Sequence, residues 1–360
     1  MRILIDINHP AHVHYSKHII KDLLQRNHEI IVTARNRDPN FELLESENIQ
    51  FIDRGKGSNS MLGKALYFIR GNYEILKASL KHKPDLFLCF MSPYAAQVSR
   101  ILGKPCVVVD DTEHAKLHDR FTYPFCSTIL TPYSFYRDLG RKQIRFKSNL
   151  ELNYLHPNRF RPDPGIFDSL GIDRSQPYVV MRLVGWGGHH DVGHNGISES
   201  AQKQIVEKLS ERYKVFISSE NPLPEHFEAY RMPLPPHQIH HLLAFASLFV
   251  GESGTMANES VVLGTPVIYV NSLPLMGYLR EAEACNLLFH FKNDDGLMLK
   301  VGELMEYGDI KSAFSDSHKK LLNNKIDGSG FMSWFLENYP DSIAIMDQDP
   351  DFQLKFGLLS

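Results

Sequence analysis

Short apolar runs alternate with amphipathic stretches along most of the chain. Residues 2–7 form an apolar run closed by a polar turn at Asn8-His9-Pro10, and a helical pattern follows to about Asn27 with Ile19, Ile20, Leu23 and Leu24 on one face. Residues 29–33 read as a brief β-branched strand, residues 41–47 as a helix and residues 50–52 as a third strand. The rhythm continues with a helix over about 62–81, a strand at 85–90, a helix at 95–102, and strands at 105–110 and 128–130. Strands alternating with helices in this way predict a parallel sheet covered by helices on both faces.

The rhythm breaks between about 149 and 177. The run His156-Pro157-Asn158-Arg159-Phe160-Arg161-Pro162-Asp163-Pro164-Gly165 is too rich in proline for a helix interior and reads as a linker. A second series starts at Tyr178-Val179-Val180-Met181. It runs through a glycine-rich stretch at 185–196, a helix over 198–212, a strand at 214–217, a helix at 239–246, a strand at 248–250, a helix at 256–263 and a strand at 266–270. The expected fold class is therefore α/β, with two Rossmann-like parallel-sheet domains facing a cleft. The expected division is a first domain over 1–150 on the acceptor side, a linker over 151–177 and a second domain over 178–338 on the nucleotide side. A tail over 339–360, carrying Asp341, Asp347, Asp349 and Asp351, either frays or packs back on the first domain.

Bulk numbers narrow the function classes. A chain of 360 residues exceeds one ordinary core, and 43% hydrophobic with 22% charged residues is ordinary globular composition. A formal net charge of -3 argues against a nucleic-acid partner held by a general basic field. Cys89, Cys106, Cys126 and Cys285 are far apart with apolar neighbours, as expected for buried reduced thiols. The amino terminus begins as a strand without a signal-peptide layout, and no run of 18 apolar residues occurs, so the expected compartment is cytoplasmic.

In open parallel sheets ligands bind beyond the carboxyl ends of the strands, which singles out three loops. The first is Gly251-Glu252-Ser253-Gly254-Thr255-Met256-Ala257-Asn258-Glu259. Its small residues, Ser253, Gly254 and Thr255 among them, let helix N-terminal amides approach a diphosphate, whose charge the helix dipole favours. Glu259, about one turn in, has the chemistry to accept hydrogen bonds from a ribose diol, or else simply caps or solvates the turn. The second loop, Asn8-His9-Pro10-Ala11-His12-Val13-His14, follows the first strand. His12 there is a candidate general base, because imidazole titrates near working pH; the competing reading is a helix-start histidine bonded to backbone. Three histidines in a proline-containing turn share no fixed helical face, so the loop does not read as a metal site. The third is Val184-Gly185-Trp186-Gly187-Gly188-His189-His190-Asp191-Val192-Gly193-His194-Asn195-Gly196. Gly185, Gly187 and Gly188 are suited to wrap phosphates, and His189 or His190 to contact them; the glycines argue against a helical histidine metal pair.

The run Ser253-Gly254-Thr255…Glu259…Gly264-Thr265-Pro266-Val267-Ile268 resembles the donor-site signature of GT-B glycosyltransferases. It is similar to that of the peptidoglycan N-acetylglucosaminyltransferases and of the non-hydrolysing UDP-N-acetylglucosamine 2-epimerases. Nearly the whole chain resembles the uncharacterised family called domain of unknown function 354, placed in the same superfamily. The resemblance implies a GT-B fold, a ribose-binding role for Glu259, and a nucleotide-sugar substrate, a UDP-sugar first, with no cofactor or metal. His12-Val13 matches the Gly-Gly-His-Val turn of the peptidoglycan transferases, with that family's glycines replaced by Asn8, Pro10 and Ala11. In Asp110-Asp111-Thr112-Glu113-His114, Glu113 matches a catalytic acid of the epimerases, and Asp111 and Glu113 compete with His12 for the role of base toward an acceptor hydroxyl. The acid those epimerases carry after the preceding strand has no counterpart in Met91-Ser92-Pro93-Tyr94.

Two further segments stand out. Residues 233–241 hold His237, His240 and His241, either a base-contacting loop or a solvated helix face. Residues 54–83 hold Arg54, Lys56, Lys64, Arg70, Lys77, Lys81 and Lys83 against Glu74, with Leu62, Leu66, Phe68, Ile69, Ile75 and Leu76 interleaved. That pattern fits a core-facing helix with a basic outer face, or a helix lying on the inner face of a membrane near a lipid-linked acceptor. The expectation is an NDP-sugar-dependent glycosyltransferase acting on a polysaccharide or lipid-linked acceptor. The alternatives are a 2-epimerase-like enzyme and a non-catalytic nucleotide-sugar-binding protein.

Overall fold

The apolar runs pair into two parallel sheets in the computed structural model, which describes residues 1–58, 60–184, 196–219 and 221–357. The chain opens β1 (Arg2–Ile7), α1 (Pro10–Gln25), β2 (Glu29–Asn36), α2 (Asn40–Ser46), β3 (Ile52–Lys56), α3 (Met61–His82), β4 (Leu86–Phe90), α4 (Pro93–Ile101) and β5 (Cys106–Val109). It goes on through α5 (Leu117–Phe121), β6 (Thr128–Pro132), β7 (Gln143–Phe146) and α6 (Leu152–Leu155). All seven strands are parallel in the order β3-β2-β1-β4-β5-β6-β7. The order reverses between β1 and β4, and the crevice outside the carboxyl ends there is where such sheets bind ligands.

A second unit carries α7 (Ile166–Leu170), β8 (Tyr178–Leu183), α8 (Glu199–Ser210), β9 (Lys214–Ser219), α9 (Ile239–Phe245), β10 (Leu248–Gly251) and α10 (Gly254–Val262). It is completed by β11 (Val267–Val270), α11 (Gly277–Ala284), β12 (Leu288–Phe291), α12 (Leu297–Met305), α13 (Ile310–Ala313) and α14 (Ser315–Leu322). Its five strands are parallel in the order β12-β11-β10-β8-β9, with the reversal between β8 and β10. Tyr178, Phe216, Leu242, Phe249, Val261 and Leu279 pack one side of this sheet; Val179, Ile205, Val215, Val250, Ile268 and Val301 pack the other.

The units are residues 1–160 with 324–360, and residues 161–323, which differs from the expected boundaries at 150, 177 and 338. The linker is short because Ile166, Phe167 and Leu170 of α7 are buried in the second core, while α6 is buried in the first. The chain then returns to the first unit with α15 (Gly328–Glu337) and α16 (Asp341–Gln348). In α15, Phe331, Met332, Phe335 and Leu336 are fully buried, and α15 packs on α1 and α6. Arg159 ties this return in place, bonding Asp22 at 2.7 and 2.8 Å and Asp327 at 2.6 Å.

Two local expectations also change. The third strand lies over Ile52–Lys56, later than residues 50–52, because Thr33 of β2 registers with Ile52. Arg54 is therefore a strand residue, fully buried, and does not belong to a basic outer face. On α3, Leu62, Leu66 and Ile69 point to solvent instead of the core, which Tyr67, Gly71, Ile75 and Ala78 face. Cys89, Cys106 and Cys126 are buried free thiols. Among the described residues, no helix is long and apolar enough to cross a membrane.

Candidate functional site

In the second unit the crevice at the strand reversal is built by the turn from β10 into α10. Gly251 ends β10, where a Cβ would lie 2.9 Å from the Arg182 backbone oxygen, so the close approach of β10 to β8 requires glycine. Ser253 then caps α10, its Oγ accepting from the Met256 amide at 3.4 Å. Gly254 and Thr255 form the first turn of the helix, half-buried and small, at the positive end of its dipole.

Glu252 is the residue of this turn that pattern reading passed over. Its carboxylate is buried and accepts from the Val184 amide at the end of β8 and from the Ile197 amide, both at 2.7 Å. One side chain in the turn after β10 thus spans the strand reversal, tying Val184 to Ile197. Gly185, Gly187, Gly188, His189 and His190, expected to contact phosphate, lie outside the described residues.

Glu259 is on the second turn of α10 and is buried, with Oε1 3.0 Å from Nε2 of buried His240. This buried pairing corrects the reading of Glu259 as a residue that simply caps or solvates the turn. His240 is correspondingly neither a solvated face nor an exposed loop residue; His237 remains exposed. Gly264 and Thr265 of the signature have local tasks. Gly264 turns the chain at φ 79°, and the Thr265 hydroxyl bonds the Leu243 carbonyl at 2.7 Å.

In the first unit, Asp6 plays the corresponding part at the β1–β4 reversal. It is fully buried, forms an ion pair with Arg54, whose Nε lies 2.9 Å away, and accepts from Thr33 Oγ1 at 2.7 Å, Asn8 Nδ2 at 3.2 Å and the Ser92 hydroxyl. Arg54, also fully buried, lies 5.0 Å from the Tyr94 ring centroid and bonds Asn8 Oδ1. A lone carboxylate inside the apolar run Ile3-Leu4-Ile5-Asp6-Ile7 was the sequence signal for this network. Such a pair adds little stability over an apolar substitute but leaves an expensive buried charge when broken.

His9 and His12 are both occupied with the entry to α1. His9 is its N-cap, Nδ1 accepting from the Ala11 amide at 3.2 Å, and burial lowers its pKa to about 4. His12 Nδ1 accepts from the Asn8 amide at 3.3 Å, and the ring sits among Phe90, Tyr15 and His9. That bond assigns the ring proton to Nε2, so His12 is a hydrogen-bond donor toward any ligand. Burial first, then the charge of His9, holds its pKa well below the ordinary histidine value. This is the arrangement of a helix-start histidine bonded to backbone. His14 stacks on Tyr154 at 5.2 Å, so the three rings do not converge.

After β5, Asp110, Asp111 and Glu113 are all buried. Asp110 is fixed by the Thr112 amide at 2.7 Å and the Tyr123 hydroxyl, with His118 Nδ1 at 3.5 Å. Glu113 Oε1 accepts from the Tyr136 amide at 3.4 Å. Asp111 accepts from the Thr112 hydroxyl at 3.1 Å. Burial, followed by the adjacent Asp110 charge, pushes its pKa up to about 7. A carboxyl group at that value exchanges protons near neutrality, the property general acid–base catalysis uses. Ser92, at the end of β4, gives its hydroxyl to Asp6, and the turn Met91-Ser92-Pro93-Tyr94 supplies no carboxylate.

Two Rossmann-like parallel-sheet units, each with a buried carboxylate across its strand reversal, define a GT-B fold. The chain belongs to the family described as "Protein of unknown function (DUF354)", whose model matches residues 1–293. An uncharacterised protein of Methanocaldococcus jannaschii is 27% identical over 298 residues, 78% of this chain and 86% of its own length. Among solved structures, the chain is similar to the UDP-GlcNAc 2-epimerase of Methanocaldococcus jannaschii in complex with UDP-GlcNAc and UDP. That match has a TM-score of 0.60 at 16% identity and covers 85% of this chain and 92% of the other. It is also similar to a glycosyltransferase of Streptomyces sp. SF2575, with a TM-score of 0.58 at 12% identity, over 94% of this chain and 100% of the other.

Proposed function

We propose that this protein is a glycosyltransferase that uses a nucleotide-sugar, a UDP-sugar first, in the synthesis of a cell-surface polysaccharide or glycolipid. The observation that carries the nucleotide-sugar part is the turn at the second unit's strand reversal. There Ser253, Gly254 and Thr255 open α10, in a fold shared with a structure that contains UDP-GlcNAc and UDP. The amides and dipole of α10 stabilise the donor diphosphate and the charge that builds on the departing nucleotide. Glu259, held by His240, takes the ribose hydroxyls. In the first unit, Asp111 is the group suited to take a proton from an acceptor hydroxyl. Asp110 and Glu113 are the other two carboxylates of the loop.

Transfer is favoured over 2-epimerisation by Ser92, whose hydroxyl, bonded to Asp6, stands in a loop without a second proton-transfer acid. The test is incubation with UDP-, GDP- and CMP-sugars, with and without lipid-linked or polysaccharide acceptors. Nucleotide released only when acceptor is present supports transfer. A new sugar epimer without acceptor selects epimerisation, and binding without turnover selects a non-catalytic nucleotide-sugar-binding protein.

A further inference from the structure

Helix α3 has two apolar faces, and one of them is turned outward. Tyr67, Gly71, Ile75 and Ala78 pack into the first unit, while Leu62, Leu66, Ile69, Tyr73 and Leu80 are 60–80% exposed. At 100° per residue, those five side chains fall within roughly 60° of one another. Scattered exposed leucines are ordinary, but a continuous stripe of large apolar residues marks an interaction surface. Phe68 lies about 130° around the helix from this stripe, and its ring meets the Phe121 ring of α5 at 6.4 Å, edge to face. Leu117 and Phe121 of α5 are themselves 66% and 40% exposed.

The charge around this face is mainly positive, with Asp119 of α5 paired to Arg137. Lys64, Arg70, Lys77 and Lys81 are exposed on α3, as are Lys56 and Lys83 at its flanks and Lys116 and Arg120 on α5. Glu74 is the only acid on α3. Arg70, Lys77 and Lys81 border the stripe along one side, so apolar insertion and headgroup attraction act on the same edge of the helix. A protein of net charge -3 has no general attraction for anions, so this basic border is a local feature.

We propose that α3 docks the first unit on an anionic lipid surface. The helix lies along the interface, Leu62, Leu66, Ile69 and Tyr73 enter the headgroup–acyl boundary, and the lysines meet acidic headgroups. This goes beyond the reading of the donor site and does not depend on it. Only the narrowing of the acceptor to a lipid-anchored one rests on the proposed transferase.

The experiment is co-sedimentation of the full chain, without nucleotide, with phosphatidylcholine–phosphatidylserine vesicles and with phosphatidylcholine vesicles across a salt series. Two variants are run beside it: Leu66→Asp with Ile69→Asp, and Lys64→Gln with Lys77→Gln and Lys81→Gln. All five positions are exposed, so circular dichroism and unfolding midpoints should match the parent. Binding to the acidic vesicles that fades with salt, weakens roughly fivefold per lysine removed, and is lost in the aspartate variant is the expected result. Absence of binding at every salt concentration overturns the proposal, as does full binding by the aspartate variant. A concentration-dependent dimer that the aspartate variant dissolves also overturns it, assigning the face to a second copy of the chain. Nucleotide-sugar turnover is measured separately, so failure here leaves the donor-site reading standing, and the reverse.

Discussion

A carboxyl group whose pKa is pushed up to about 7 by burial and by a neighbouring carboxylate, as Asp111 is, is charged in the folded protein only at a loss of stability. Its folded value lies above the unfolded value of 3.8, so the folded state binds more protons between those two values. Stability contributed by the protonated form is complete below about pH 4, declines as pH rises, and is gone above about pH 7. Asp111→Asn should therefore raise the unfolding free energy at pH 8 by roughly 1–3 kcal/mol and change little at pH 3. The same substitution should lower turnover about 10²–10⁴-fold, and parent kcat/KM should rise with pH through about 7. Thermal melts at the two pH values check the first half; a variant less stable at pH 8 would show that Asp111 is not held against its ionisation. Glu259 is a different residue-scale case, because its partner His240 is buried with it. Glu259→Ala should reduce stability by about 1–3 kcal/mol by stranding His240, and should weaken nucleotide binding by about 1.5–3 kcal/mol. Calorimetric titration on the folded variant separates the two losses. Unchanged nucleotide affinity would remove Glu259 from the donor site and leave it a core residue.

Elements meet their neighbours through a few side chains whose loss is felt at a distance. Glu252 belongs to the turn between β10 and α10, yet its two bonds go to Val184 after β8 and to Ile197 before α8. Glu252→Ala leaves two backbone donors without their carboxylate, which should reduce stability by about 2–4 kcal/mol. It should also accelerate hydrogen exchange at the Val184 and Ile197 amides; exchange there at the parent rate would mean that the carboxylate does not hold these ends. Helical periodicity correctly located α3, yet its apolar residues divide between a buried and an exposed face, and a list of interleaved hydrophobics does not distinguish them. The edge of β3 shows the converse. Asp53-Arg54-Gly55-Lys56 is polar enough to pass for a loop, but Arg54 is drawn inward by Asp6 on β1, two strands away in the sheet.

Across the whole molecule, the first unit is discontinuous, its core closed by residues 324–360. Ser329 bonds the Asn153 carbonyl at 2.7 Å, and Ser148 bonds the Ile326 carbonyl at 2.8 Å, both fully buried. A fragment of residues 161–323 should therefore unfold cooperatively on its own. Residues 1–160 should not, because α1 and α6 would expose the surface that Phe331, Met332, Phe335 and Leu336 cover. Joining residues 324–360 to residue 160 should restore cooperative unfolding of the first unit. Urea titration of the three fragments is the measurement, and a well-folded 1–160 fragment would show that the returning helices are dispensable.

A family resemblance marked the loop after β5; the alternation of apolar runs with amphipathic stretches was enough to reveal two parallel α/β units and to mark the loops after β1, β8 and β10 as candidates for ligand chemistry. Those inferences rest on local periodicity and on the direction of a parallel strand, and both are properties of contiguous residues. Which polar group in each loop is engaged, and with what, was not legible there. Asp6 with Arg54, Glu259 with His240 and Glu252 with Val184 join residues many positions apart, and burial changes what each can do. The same applies to His12, whose proton-accepting nitrogen is taken by the Asn8 amide, and to Asp111, whose proton affinity is raised by a low-dielectric surrounding assembled from several elements. A helix returning from position 324 to finish a core begun at position 1 leaves no mark in local periodicity, because its apolar face would look the same against either sheet.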